Sequence, residues 1–229
     1  MKNTTVKSLF SLKKIIYVVL VLGFITAFAT PFKTSNKIIQ PPTETIAANA
    51  KIINSIVDNE KTQADKIREK ESAEAFKEAY KVLMHPRCMN CHPSGDAPLQ
   101  GDDSHIHAQN VTRGKEGKGV YAMKCSNCHQ KENTPGLNMP PGDPDWHLPP
   151  ANMKMVFQGK TPAQLAAQFK DPKQTGKTLQ QMLKHVEEDH LVINSGWNPG
   201  EGRTKPPLSH AEFAAKFREW IEKGAVIPK

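Results

Sequence analysis

Two short stretches of this sequence have the residue types and spacing to do chemistry: Cys88-Met89-Asn90-Cys91-His92 and Cys125-Ser126-Asn127-Cys128-His129, both of the form CxxCH. Each part of the pattern has a physical task. Two thiols three positions apart can each add to one of the vinyl groups along a haem edge, and the adjoining imidazole then lies under the ring, where it can ligate iron. The expected cofactors are therefore two haem c groups, attached through Cys88 and Cys91 and through Cys125 and Cys128. His92 and His129 are the expected proximal iron ligands.

The same cysteines admit two other readings. Paired CxxC motifs build tetrahedral zinc sites, and the four cysteines of an exported chain can close two disulfides. A histidine directly after each pair favours haem over zinc, and no thioredoxin-like alternation of strands and helices surrounds the pairs.

The far side of each iron needs a second ligand, and its identity sets the redox potential: a methionine raises it relative to a second histidine. Three histidines are the candidate distal ligands. His107 follows the first motif in a loop rich in Gly and Asp, with His105 as its weaker neighbour. His147 lies in Asp145-Trp146-His147-Leu148-Pro149-Pro150, a stiff apolar turn suited to holding an imidazole over a ring, and His185 lies on a late helix. Met139, before Pro140-Pro141, and Met153 and Met155 can ligate or simply pack. His85, fixed by Pro86, is a possible ligand close to its own motif, His190 extends the stripe of the late helix as a ligand or a core histidine, and His210 reads as a surface residue.

These residues need elements to position them. Ser72 reads as an N-cap for a helix carrying Phe76, Tyr80 and Leu83 on one face, stopped by Pro86 just before the first motif. Residues 86–151 are rich in Pro and Gly without strand alternation, which predicts loops wrapped around a rigid group, with a short helix at Gly119–Lys124 leading into the second motif. Thr161 caps a segment with Leu165 and Phe169 inward. Thr178 with Gln181, and Ser209 with Glu212, make capping boxes for helices whose apolar stripes are Leu179, Met182, Leu183, Val186 and then Phe213, Phe217, Trp220, Ile221. The expected fold class is mainly α, with helices and long loops wrapped around two covalently bound haems. Only 38% of residues are hydrophobic, a thin core for 229 residues unless a cofactor fills it.

The N-terminus reads as an export leader over residues 1–29: Lys2, Lys7, Lys13 and Lys14 precede an apolar run from Ile15 to Thr26, and Ala27-Phe28-Ala29 supplies a cleavage site. Left uncut, it would be a membrane anchor, so the expected location is periplasmic or extracytoplasmic, or tethered to the inner membrane. Residues 30–71 form a tether, partly helical, and residues 72–229 the dihaem domain. The formal charge of +8 includes four leader lysines, and no basic stripe with interleaved aromatics points to nucleic acid.

Tyr121, four residues before the second motif, and the closing Phe213 to Ala225 stretch resemble the first and last helices of class I cytochromes c. That resemblance implies that the two segments cross and pack beside the haem. The longer runs HPRCMNCHPSGDAPLQGDDSH, CSNCHQ, WHLPP and GWNPGEGR are similar to the small dihaem cytochromes labelled isoquinoline 1-oxidoreductase subunit, over most of residues 76–227. This resemblance implies an electron carrier serving a molybdenum hydroxylase-type or other periplasmic dehydrogenase, with redox proteins as donor and acceptor. Unlike class I cytochromes, Leu191 to Pro207 contains no methionine. The motifs begin too close together for a full domain between them, so both haems are expected to share one fold. The competing function is a small dihaem enzyme, a peroxidase or a sulfur-compound dehydrogenase, with one open iron.

Overall fold

Helix formation at the start of the described chain follows from a long run without Gly or Pro. In the computed structural model, which describes residues 43–229, helix α1 spans Thr43–Leu83. The expected leader and most of the tether lie outside the described residues. Helix α1 has two halves of different character. From Lys51 to Glu71 its side chains are solvated, and Ile52, Ile53, Ile56, Val57 and Ile67 are exposed. From Ser72 onward Ala75, Phe76, Ala79, Val82 and Leu83 recur at helical spacing and are buried. Ser72 is thus not an N-cap. Its buried hydroxyl donates to the Trp220 carbonyl at 2.8 Å and accepts from the Val226 N–H at 3.1 Å, tying α1 to the C-terminus of the chain.

Pro86 cannot continue α1 but suits a helix start, and the short helix α2 (Pro86–Met89) begins there, its N-cap His85 accepting from the Arg87 N–H through Nδ1. Two short antiparallel hairpins follow, β1 (Leu99–Gln100) with β2 (His105–Ile106), then β3 (Gly119–Val120) with β4 (Met123–Lys124). The second hairpin replaces the helix expected at Gly119–Lys124. Gly119 takes a φ of 83°, outside helical space, and Tyr121 at the turn is 93% exposed. A helix there would need an apolar face to bury, and none of its side chains is buried.

The later helices start where their caps predict. Thr161 and Gln164 form a capping box for α3 (Pro162–Lys170), Thr178 and Gln181 for α5 (Leu179–Glu188), and Ser209 and Glu212 for α7 (His210–Glu222). Between α3 and α5 lies the short α4 (Pro172–Thr175), closed by Gly176 in the left-handed region. The Thr178-capped helix stops at Glu188, so His190 does not extend its stripe. Instead Asp189 ends α5 and caps a separate helix, α6 (His190–Trp197).

Residues 51–229 form one compact unit. Its core joins the second half of α1 to α3, α5 and α7, with Phe76 4.7 Å from Trp220 and Phe169 5.2 Å from Phe217 between ring centres. Trp220 is fully buried and its Nε1–H donates to the Val226 carbonyl at 3.0 Å, so Trp220→Ala costs about 3–5 kcal/mol. The crossing partner of the Trp220 helix is therefore α1, ahead of the first motif, and not the Tyr121 segment. The protein is mainly helical.

Candidate functional site

The first motif is delivered by regular structure. Cys88 and Cys91 sit on and after α2, directly below α1, and Phe157 donates its backbone N–H to the His92 carbonyl at 2.9 Å. The His92 ring stacks on the Phe157 ring at 3.8 Å and 6°. Because a carbonyl only accepts, the 2.7 Å contact from His92 Nδ1 to the Met155 carbonyl places the proton on Nδ1. Nε2 keeps its lone pair, the arrangement a metal-ligating imidazole needs.

The second motif repeats this device in different surroundings. Cys125–Asn127 forms a single 3-10 turn after β4. His129 Nδ1–H donates to the Pro141 carbonyl at 2.7 Å, and its ring stacks on Trp146 at 4.1 Å and 6°. The loop that provides both contacts is held down by Asp143. Its buried carboxylate accepts from the Asp145 N–H at 2.9 Å, from Asn194 Nδ2 at 2.8 Å and from His190 Nδ1 at 2.9 Å, fastening the loop to α6.

Burial pushes His92 down to about 3, the Met155 hydrogen bond resisting and charge on His185 adding to the fall. Burial likewise pushes His129 down to about 4, the Pro141 bond resisting and His107 adding. Both rings are neutral at physiological pH, as a ligand must be. Burial raises the Cys88 thiol to about 12, with neighbouring Cys91 adding, and raises Cys91 to about 11 against the pull of Arg87. Cys125 is raised by burial as well. Burial outweighs the pull of Arg87 and Arg113, so Cys88 and Cys91 are held as thiols.

The two motifs open on two neighbouring cavities, with Cys91 lining both. One, of ≈ 200 Å³, is walled by Cys88, Cys91 and His92 and also by His147, His185 and Met155. The other, of ≈ 390 Å³, is walled by Cys125, Cys128 and His129 with His107, Met139 and Trp146. The candidate distal ligands are thus divided: His147 and His185 belong with the first motif, His107 with the second. His107 faces His129 edge-on, ring centres 6.4 Å apart at 64°. Two imidazoles sharing one metal through bonds of about 2.0 Å each have ring centres about 6 Å apart.

The donor set also has the unmet polar capacity that a haem would meet. His107 Nδ1 and Arg87 Nε are buried without hydrogen-bond partners. His147 Nδ1–H donates to the Asp145 carbonyl at 2.6 Å and His185 Nδ1–H to Asp189 Oδ2 at 2.9 Å, leaving Nε2 available on each. The residues present fit haem. Among the described residues no three His, Cys, Asp or Glu side chains converge as a metal cage. A haem iron takes only its axial ligands from the protein and needs no such cage.

The other histidines are accounted for elsewhere. His85 caps α2, exposed His105 pairs with Asp103 at 2.6 Å, His190 holds Asp143, and His210 Nε2–H donates to the Val186 carbonyl at 2.8 Å. Met155 contributes its carbonyl, while Met139 and Met153 each line a cavity. Sequence reasoning missed the stacking rings Phe157 and Trp146, the clamp Asp143, and the buried arginines Arg87 and Arg113. Arg87 had one signal, its place within the run leading into the first motif.

No family model matches the chain, and neither a curated protein nor a solved structure similar to it was found. Among the described residues no helix is long and apolar enough to cross a membrane.

Proposed function

We propose that this chain is an exported electron carrier with two covalently attached haems, one on each CxxCH motif. The observation that supports it most is the repetition of one device. Each motif histidine is neutral, fixed by a carbonyl with Nε2 free, backed by a flat aromatic ring, and set on a cavity shared with its thiols and a second imidazole.

The residues have these roles. Cys88, Cys91, Cys125 and Cys128 each add S–H across a vinyl group, sulfur to one carbon and hydrogen to the other, with no atom lost. His92 and His129 ligate from one side. His107 is the partner of His129, and the partner of His92 comes from the first cavity, where His185 and His147 both lie. When bound, each haem supplies an iron that alternates between ferric and ferrous states. Held by these histidines, the haems would supply one-electron chemistry between a reduced donor protein, such as a periplasmic dehydrogenase of the molybdenum hydroxylase type, and an oxidised acceptor, with no position left for a substrate.

Phe157, Phe169 and Phe213 give the first cavity an apolar lining that keeps water from the metal. Near-infrared magnetic circular dichroism of the holo-protein tests the assignment. Two low-spin irons with bis-histidine bands are expected. A persistently high-spin iron, with peroxide turnover, would instead identify a dihaem enzyme.

A further inference from the structure

The two cavities meet at a wall made by Arg87, Cys91 and Ser195, the residues that line both. Arg87 is the one charged side chain among them. Its side chain is 6% exposed, and Nη2 is anchored by Asp102 Oδ1 at 2.7 Å and by the Gly101 carbonyl at 2.9 Å. Its Nε is buried with no hydrogen-bond partner, although a guanidinium has five N–H donors to satisfy.

Charge is also out of balance there. Arg203 lines the larger cavity with Arg87, and its own protonation is disfavoured by burial and by the Arg87 charge. Against these two cations stands the Asp102 carboxylate, which also accepts from the Thr204 N–H at 3.0 Å. Buried cations call for an anionic partner, and planar guanidinium groups favour carboxylates.

We infer that Arg87 is a cation shared by the two haem sites: its guanidinium, fixed at the wall between the cavities, raises the reduction potentials of both irons together. The inference rests on the dihaem reading. A fixed positive charge stabilises the iron state that has gained an electron, and the low local dielectric at a buried wall extends its reach. Arg87 acts as a positioning residue and touches neither iron.

Spectropotentiometric titration of the holo-protein tests this, with Arg87→Gln, Arg87→Lys and Asp102→Asn each checked for haem content by intact mass. Arg87→Gln lowers both midpoint potentials, Arg87→Lys lowers them less, and Asp102→Asn, which removes the compensating anion, raises both. Unchanged potentials in Arg87→Gln with both haems attached, or a shift confined to one haem, overturn the inference. If Arg87→Gln fails to mature, Asp102→Asn decides alone, since unchanged potentials in that variant contradict a shared cation. An unsubstituted chain without haem overturns the dihaem reading itself, a result distinguishable before any titration.

Discussion

The two CxxCH sites use the same first contacts and different packaging. His92 and His129 share one tautomer, one type of carbonyl acceptor and one stacked ring at 6°. Around His92 the walls are core side chains from α1, α3, α5 and α7, among them Leu83, Phe169, Met182 and Phe213. Around His129 they are loops and a hairpin, with Cys128 exposed and Tyr121 at the surface. On the dihaem reading the five-residue motif would fix the chemistry at the metal, and its surroundings would set how near that metal lies to the core or to solvent. The exposed second site would then be the edge for exchange with a partner protein and the first site the inner relay.

If this contrast is right, the largest difference comes from removing the attachment points. Cys88→Ser with Cys91→Ser eliminates one haem and strips the core of its filling, lowering Tm on the order of 10 °C, the shift that a few kcal/mol produces in a domain of this size. Cys125→Ser with Cys128→Ser also removes one haem but leaves the helical core, and Tm changes far less. Intact mass and far-ultraviolet dichroism melts read both effects. Equal losses of Tm would erase the distinction between core and loop sites.

The stacking rings sharpen the comparison next. Phe157 is 4% exposed and packs within the core, so Phe157→Ala costs about 3–5 kcal/mol in denaturant unfolding. Half-buried Trp146 loses less apolar contact, and Trp146→Ala costs about 1–2 kcal/mol while loosening His129. A larger loss at Trp146 than at Phe157 would reverse the assignment of inner and outer sites.

The loop site has its own weak point in Asp143. Asp143→Asn leaves donors facing a poorer acceptor and costs about 1–3 kcal/mol. Its pH dependence has a defined sign. Burial works to raise Asp143, but hydrogen bonds from Asp145, Asn194 and His190 hold it below the usual carboxylate range, so its contribution is present above about pH 4 and is lost as pH falls through its lowered folded value. His190 is raised by its hydrogen bond to Asp143 and by that charge. Its contribution is complete below about pH 6.5 and fades as pH rises through its raised folded value. The difference between wild type and Asp143→Asn, followed by chemical denaturation, is therefore widest between about pH 4 and pH 6.5. A flat difference across that range would remove the ion pair from the account. The smallest effect belongs to the shared scaffold: Thr178→Ala removes the α5 cap for about 1 kcal/mol and leaves the haem spectra unchanged.

Much of this was legible from local signals. The three capping boxes, the Phe213 to Ile221 stripe and the CxxCH pairs depend on residues close in sequence, and the structure has those elements where their spacing put them. The Gly119–Lys124 segment was not legible, because a short apolar run reads equally as helix or strand and the φ of Gly119 decided it. Ser72 looked like a cap because Ser before a periodic run usually is one, yet a tertiary partner, the Trp220 carbonyl, claimed its hydroxyl. Helix α6 had a readable signal in Asp189, which accepts from the Leu191 N–H at 2.9 Å, but the stripe of α5 seemed to run through it. Phe157, Trp146 and the Asp143 clamp join residues far apart in the chain, and no spacing rule reaches them.

The central claim is that four thiols hold two porphyrins through bonds that survive unfolding. Intact-mass measurement of the denatured chain, produced in a host that matures c-type cytochromes, tests it most directly. The account predicts a gain of two haems retained in acid denaturant. A chain carrying no porphyrin, or one whose coloured group dissociates on denaturation, would contradict it.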